Sequence, residues 1–412
     1  MTIQQDFNNN SIFDVSKNKC FGCGSCLNAC PNKAITKEYD AKGFFYPKID
    51  FDRCVNCGVC RKVCPSIKTI DTSTSKLAYG AINNDFSLQM NSSSSGIFTI
   101  VADHILENGG VVVGCVWDDK KTVKHIIVDN KRDLRNLRGS KYVQSDISKL
   151  FNPIKNLLDE NRIVLFTGVP CQIAAIKAFL KRPYDNIYYI DLVCHGVPSS
   201  KMLNSFILWY EKKHKTSIDR IDFRYKTIKN GQYLTKIVCS KNTKRKKTRI
   251  LYWQETFFMF LFMNGYGLRD SCYECKFCSR QRCGDITLGD FWGVEDSLPL
   301  LKNEYGVSLV LVNNDKGRYL LNVIKNRAKL YAVDVDKSTS SNDQLNHPCH
   351  TPSDNTILEQ YIEDGDYSRI NSFYNQKFKK RIKTRFVFLL HKLLPKSFFK
   401  LLRKNRVTSS KL

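Results

Sequence analysis

Eight cysteines within the first 64 residues fall into two copies of one spacing: Cys20, Cys23, Cys26 and Cys30 before Pro31, and Cys54, Cys57, Cys60 and Cys64 before Pro65. Four thiolates so spaced on a tight loop surround a 4Fe-4S cube, and in paired runs the fourth cysteine of each crosses to the other cube. The spacing therefore predicts one cube on Cys20, Cys23, Cys26 and Cys64 and a second on Cys54, Cys57, Cys60 and Cys30. Gly22, Gly24 and Gly58 let the backbone curl so that amide N–H groups point at cluster sulfurs. Each proline then ends its loop with a fixed φ. Zinc also occupies Cys-x2-Cys pairs, but it takes four ligands, usually as two separated pairs; two four-cysteine runs ending in proline favour iron-sulfur.

The rest of the chain must position and serve these groups. Its 412 residues predict two or three domains, and 42% apolar content is ample for a core. Seventeen cysteines would suit a secreted disulfide protein, yet Met1 to Asp6 shows no basic segment leading into an apolar one. The expectation is a cytoplasmic chain with thiols reduced or metal-bound. No stretch approaches the roughly 18 to 20 apolar residues of a membrane span. The densest run, Phe257 to Met263, reads as a buried helix.

An α+β ferredoxin-like domain is expected over residues 1–70, closed by the polar linker Asp71 to Ser75. Beyond it strands and helices alternate: strand Leu77 to Ala81, loop Ser92 to Gly96, helix Ile97 to Glu107 and strand Val111 to Val116. Helix Pro153 to Asp159, strand Ile163 to Phe166, helix Ile173 to Leu180 and strand Ile187 to Ile190 follow. That alternation predicts an α/β domain with a largely parallel sheet, whose ligand sits at loops after strand C-termini. Boundaries are drawn at 71–150, 151–345 and 346–412, the last a basic helical tail.

At those loops the chain resembles a known family. Ser94-Ser95-Gly96, Leu137 to Ser145, Phe166 to Gln172, Asp191 to Ser199 and Asp285 to Gly293 look like the recurring motifs of the beta subunits of coenzyme F-420 hydrogenases and dehydrogenases, in the expected order over about residues 10 to 330. The resemblance implies FAD beside an iron-sulfur cluster: hydride chemistry at the flavin joined to one-electron carriers. Ser94, Ser95 and Gly96 at a helix start, with Lys141, Thr167, Gly168 and Gly196, are the expected cofactor-binding residues, the helix start suiting a pyrophosphate. An ordinary helix cap and a solvated lysine compete with that reading. His195, the histidine inside a strong motif, is the candidate catalytic residue, to deliver a proton or bond a flavin carbonyl; a turn-stabilising role competes. Asp290, near Trp292, reads equally well as structural.

A third cysteine group, Cys272, Cys275, Cys278 and Cys283, leaves two assemblies open for a third 4Fe-4S cluster. One is local. The other joins Cys171 and Cys194, in family-like turns, to Cys272 and Cys275, and is preferred because Gly and Pro around those turns suit close approach of backbone to a cofactor. Free cysteines are otherwise commonly small core residues, the reading for Cys115, Cys239 and Cys349.

Formal charge is +26, concentrated in places. Lys241 to Arg249, with six Lys and Arg, reads as a solvated hairpin, and no recognition motif supports nucleic-acid binding. Residues 377–412 hold 13 Lys and Arg and no acid. Large apolar groups interleaved with those cations predict two short amphipathic helices divided by Pro395, with 377–406 lying on the inner face of the cytoplasmic membrane or docking on a partner subunit. The function expected is an iron-sulfur flavoprotein oxidoreductase exchanging hydride with an organic substrate or deazaflavin and single electrons with a soluble carrier such as a ferredoxin. A place in surface-polysaccharide biosynthesis would explain membrane contact. The competing reading is an electron-transfer subunit with no substrate of its own.

Overall fold

The computed structural model describes residues 11–12, 15–118, 122–228, 231–240, 246–299, 301 and 303–378. The first unit is built from two short helices, Ser25–Ala29 and Val59–Lys62, and the antiparallel hairpin Ile35–Tyr39 with Phe45–Ile49. Its own apolar centre is slight: Ile12, Cys26 and Ile35, with Cys30, Cys60 and Cys64 packed against them. So small a unit cannot be held by hydrophobic burial alone and needs metal or covalent staples.

The large sheet has eight strands: β1 (Leu77–Asn83), β2 (Val111–Trp117), β3 (Val123–Val128), β4 (Val164–Gly168), β5 (Ile187–Leu192), β6 (Ile286–Asp290), β7 (Ser308–Val312) and β8 (Ala328–Val333). Their spatial order is β8-β1-β7-β6-β5-β4-β2-β3. The pairs β2–β4, β4–β5 and β5–β6 are parallel, while β2–β3, β6–β7, β7–β1 and β1–β8 are antiparallel. The expected largely parallel sheet is therefore corrected to a mixed one. Each antiparallel pair involves β3, β7 or β8, strands the alternation of helix and strand does not announce. Strands from either side of residue 150 share this sheet, so the expected boundary there divides no sheet.

Alternate residues of the strands enter different cores, as period 2 requires for a sheet buried on both faces. Val112, Val116 and Leu165 pack with Ile100 and Ile105 of helix Ile97–Glu107. Val111, Val113, Val164 and Phe166 pack with Phe151, Ile154, Ile173 and Ile176 of helices Phe151–Asp159 and Pro170–Leu180. A third core joins helix Phe257–Met263 to a three-stranded antiparallel sheet, Ser217–Thr227, Gly231–Ser240 and Lys246–Tyr252.

That core also takes Leu358, Ile362, Ile370, Phe373 and Tyr374, from helices Asn355–Asp364 and Tyr367–Lys377. The expected tail thus begins too early at 346: these two helices carry apolar faces that are buried in the protein. The amphipathic stretch 377–406 lies outside the described residues beyond Phe378, as do residues 241–245 of the basic hairpin. Among the described residues no helix is long and apolar enough to cross a membrane.

Candidate functional site

The strand directions bring the C-terminal ends of β1, β2, β4, β5 and β6 to one edge of the sheet. A cavity of about 430 Å³ opens there, lined by the turns 167–172 and 192–197, the loops 92–97 and 137–145, and the cysteine loop 271–278. That size suits a small-molecule or cofactor site, which spans roughly 300 to 1,000 Å³.

Cysteines gather in three places. Cys20, Cys23, Cys26 and Cys64 line one small cavity of about 30 Å³, and Cys30, Cys54, Cys57 and Cys60 line another of about 20 Å³. Each four-cysteine run sends its last member to the other cavity. Backbone N–H groups aim at the sulfurs: Ser25 at Cys23, Arg61 at Cys60, Ser66 and Ile67 at Cys64. Cys171, Cys194, Cys272, Cys275 and Cys278 all line the large cavity. They lie close enough for the charges of Cys275, Cys194, Cys272 and also Cys23 to push up the thiol of Cys171, behind the larger effect of burial. Cys23 lines both the first small cavity and the large one.

Burial pushes the Cys23 thiol up to about 12 and that of Cys194 to about 11. Thiols so placed keep their protons until a metal displaces them. Cys278 donates to Cys275, which favours the Cys275 thiolate and keeps Cys278 protonated. Cys283 is outside the cavity wall, packed in the core with Ile173 and Phe277. Among the described residues no three His, Cys, Asp or Glu side chains close to the distances of a single bound ion.

Two arginines flank the cysteine loop, each 1% exposed. Arg282 pairs with the fully buried Asp191 at 2.9 Å, while the other Asp191 oxygen accepts the Cys283 and Gly284 N–H groups at 3.1 and 2.8 Å. This pair fastens the loop to the end of β5. Arg269 instead donates to neutral acceptors: the Cys20 carbonyl at 2.7 Å, Gln144 Oε1 at 3.1 Å and the Phe45 carbonyl at 2.9 Å. Its guanidinium lies 4.3 Å from the Tyr46 ring centroid. Gln144 in turn donates to the Phe21 and Gly22 carbonyls at 3.0 and 3.3 Å. Arg269 and Gln144 therefore seam the first cysteine loop to the cavity. Gly22, at φ 60°, has no side chain to give way: a Cβ would sit 2.7 Å from Arg269 Nη1.

Along the 92–96 loop the predicted cofactor residues divide. Ser94 and Gly96 line the cavity. Ser95 does not: its hydroxyl is fully buried and donates to the Ala81 carbonyl at 2.6 Å, satisfying the end of β1. Lys141 lines the cavity, but its ammonium lies 2.8 to 3.2 Å from the carbonyls of Asn136, Leu137, Arg138 and Gly139. It satisfies the carbonyls left over at the end of helix Lys131–Leu137. Burial pulls it down to about 8. The expectation of a ligand contact is thus corrected for both side chains, each being committed to backbone oxygens.

Arg138 reaches the cavity instead, with its buried Nε lacking a partner. Ser94 Oγ and Thr167 Oγ1 are likewise buried without a hydrogen bond. Such orphans are rare enough to ask for a ligand or water. Arg224 grips Asp290 through two hydrogen bonds of 2.6 and 2.9 Å and donates to the Ser93 carbonyl, so Asp290 is an ion-pair partner. Lys226 holds the Gln89 and Ser94 carbonyls from below, and burial first, then Arg224, pulls it down to about 7.

His195 lines the cavity with Nε2 3.1 Å from the Phe262 carbonyl and its ring edge-on to Phe262. Burial lowers its pKa, so the neutral ring donates from Nε2 to that carbonyl. Gly196, at φ 123°, approaches Leu268 and Cys272 where a Cβ would fall within 2.9 and 3.3 Å. Gly168 turns the chain at the cavity wall beside Gln172. His125 went unread in the sequence because it stands alone in a strand. Its Nε2 lies 3.0 Å from the Thr167 carbonyl and its Nδ1 2.5 Å from Ser145 Oγ, fixing the turn after β4. Cys115 also lines the cavity beside Lys141.

Residues 161–338 match the family described as the C terminus of the coenzyme F420 hydrogenase/dehydrogenase beta subunit, and residues 19–67 match the 4Fe-4S dicluster domain. A curated relative, the coenzyme F420-dependent sulfite reductase of Methanocaldococcus jannaschii, is 24% identical over 346 residues, 78% of this chain and 48% of the relative. The chain thus spans about half the length of the curated relative it matches. The F420-reducing [NiFe] hydrogenase complex of Methanosarcina barkeri contains a chain similar at a TM-score of 0.43 and 16% identity, covering 77% of this chain and 96% of that one.

Proposed function

Because this chain belongs, over residues 161–338, to the coenzyme F420 hydrogenase/dehydrogenase beta subunit family and carries a 4Fe-4S dicluster domain over 19–67, we propose that it is an iron-sulfur flavoprotein oxidoreductase. The observation that carries this reading is the shared wall: Cys23 belongs both to the first small cysteine-lined cavity and to the large cavity that gathers Cys171, Cys194, Cys272 and Cys275. When bound, a flavin exchanges hydride with an organic substrate or deazaflavin and single electrons with iron-sulfur clusters.

Cys20, Cys23, Cys26 and Cys64 would hold one cube, Cys30, Cys54, Cys57 and Cys60 a second, and Cys171, Cys194, Cys272 and Cys275 a third. Cys278 then stands behind the third set as a thiol donor to Cys275. FAD fits the remaining wall by its orphan groups: Ser94 Oγ, Thr167 Oγ1 and Arg138 Nε supply the polar contacts, and helix Ile97–Glu107 starts at the cavity with its free N–H groups. His195 holds its proton on Nε2 against the Phe262 carbonyl, which leaves Nδ1 as an acceptor. His125 and Gln172 keep the 167–172 turn in place, Gln172 by accepting from Val169 N–H at 3.1 Å and donating to the Ser145 carbonyl at 3.1 Å.

A soluble carrier such as a ferredoxin would exchange electrons at the N-terminal unit. The stretch 377–406 would rest on an anionic membrane, the setting in which a lipid-linked sugar substrate of surface-polysaccharide synthesis makes sense; loss of anionic-vesicle binding on truncation after Asn375 tests it. Anaerobically purified protein should contain iron, sulfide and extractable FAD. Cys171→Ala, Cys194→Ala and Cys272→Ala should each lose the iron of one cube, and Cys283→Ala little. No flavin after reconstitution with excess FAD would defeat the reading. Turnover of a small organic substrate by the chain alone separates the enzyme from an electron-transfer subunit.

A further inference from the structure

The two buried arginines beside the cysteine loop differ in one respect. Arg282 is neutralised by Asp191, as their 2.9 Å contact shows. Arg269 is as deeply buried, and among the described residues no carboxylate pairs with it: its contacts are two carbonyls, one amide oxygen and the faces of Tyr46 and Phe44. The nearby acid Asp270 is taken by Lys42 at 2.6 Å. A full positive charge therefore remains inside the protein, at the seam between the Cys20–Cys23 loop and the Cys272 loop. It acts on both sides of the seam, opposing the burial that raises the thiols of Cys23 and Cys272.

We propose that Arg269 is a redox-tuning residue, the fixed countercharge that raises the reduction potentials of the two clusters meeting at this seam, the one on Cys20, Cys23, Cys26 and Cys64 and the one beside Cys272. The proposal rests on the cluster reading given above. Reduction adds one electron to a cube and makes or breaks no bond. The negative charge so gained is stabilised by an adjacent cation in a medium of low dielectric, where screening by water and salt is weak. Arg282 cannot do the same, since Asp191 cancels its charge. The cube on Cys30, Cys54, Cys57 and Cys60 occupies a separate cavity with no contact to Arg269, and is the internal reference.

The test is an EPR-monitored redox titration of the full chain, with dithionite as reductant and signals assigned through Cys→Ala variants at each site. Arg269→Gln should shift the two seam clusters to lower potential and leave the third unmoved; Arg269→Lys, which keeps the charge, should restore most of the difference. Equal shifts in both variants, or no shift with iron content intact, would overturn the proposal. If Arg269→Gln does not retain its iron, Gln144→Glu sets a carboxylate against the guanidinium in an otherwise native chain and should lower the same two potentials, whereas Gln144→Met, which removes the same hydrogen bonds without adding charge, should not. Equal behaviour of those two variants would also overturn it. A wild type without clusters removes the cluster reading itself, and this inference with it.

Discussion

The N-terminal unit and the cavity collect thiols by opposite means. Between Cys20 and Cys64 every candidate ligand is local, and two short helices and a hairpin suffice to hold them. The cavity instead draws Cys171 from the turn after β4, Cys194 from the turn after β5 and Cys272, Cys275 and Cys278 from a loop before β6. A site set by spacing depends on its own loop, whereas a site assembled from strand ends depends on everything that aligns those ends. Lesions in the large domain should therefore empty the cavity's thiol site while sparing the first unit.

The largest effect of this kind should come from Asp191→Ala. It strands Arg282 without its partner and leaves the Cys283 and Gly284 N–H groups unpaired. Breaking a buried ion pair from one side costs about 3 to 5 kcal/mol. Denaturant unfolding should register that loss, and iron analysis should show one cube missing with the eight N-terminal cysteines still loaded. Loss of all iron together would mean that the two regions do not fold as separable units.

His125 offers a pH-dependent version of the same lesion. Burial pulls its pKa down to about 4, from an ordinary 6.5. The folded ring stays neutral while the unfolded chain takes up a proton below pH 6.5. Stability from this group is thus full above about pH 6.5 and is lost as pH falls toward 4, in total about 3 kcal/mol. His125→Phe keeps a flat ring beside Phe166 and has no proton to bind, so its unfolding free energy should fall less steeply between pH 6.5 and 5 than that of the wild type. Parallel slopes would show that His125 is not held neutral.

Much of this contrast is legible in the sequence, unevenly. Cysteine spacing, the strand–turn–helix order around Thr167 to Gln172 and the helix from Ile97 to Glu107 can be read because each depends on neighbours in the chain. The antiparallel strands β3, β7 and β8 escape because no local pattern says which edge they join. Arg269, Gln144, Arg282 and His125 escape for the same reason: an isolated charged or polar residue reads as surface until its burial and distant partners are known. Ser95 and Lys141 mislead in the other direction. Their side chains are polar and their positions well placed, yet nearby backbone carbonyls claim them first.

At the seam, a single methyl should act on both regions. Gly22→Ala imposes a left-handed φ on a residue with a Cβ, which costs about 1 to 2 kcal/mol, and drives that Cβ to 2.7 Å from a guanidinium that three hydrogen bonds hold in place. We expect a loss of about 2 to 3 kcal/mol, since overpacking adds to the strain. Limited proteolysis should then release the N-terminal unit faster than in the wild type. Unchanged cleavage would mean that the Arg269 seam contributes little to docking.

The smallest stability effect belongs to Gly139→Ala, and it isolates the cavity from the seam. Gly139 also has a left-handed φ, 81°, but a Cβ there meets nothing within 4 Å. Only the backbone strain of about 1 kcal/mol should appear in unfolding. The methyl enters a cavity wall, next to Arg138 and Ser140, so FAD affinity measured by flavin fluorescence should fall by more than the folding penalty alone accounts for. Iron at the N-terminal cysteines should stay at wild-type levels, because nothing in that unit touches this wall position. If flavin binds the variant as tightly as the wild type, this wall does not face the cofactor, and the orphaned Nε of Arg138 must answer to some other ligand.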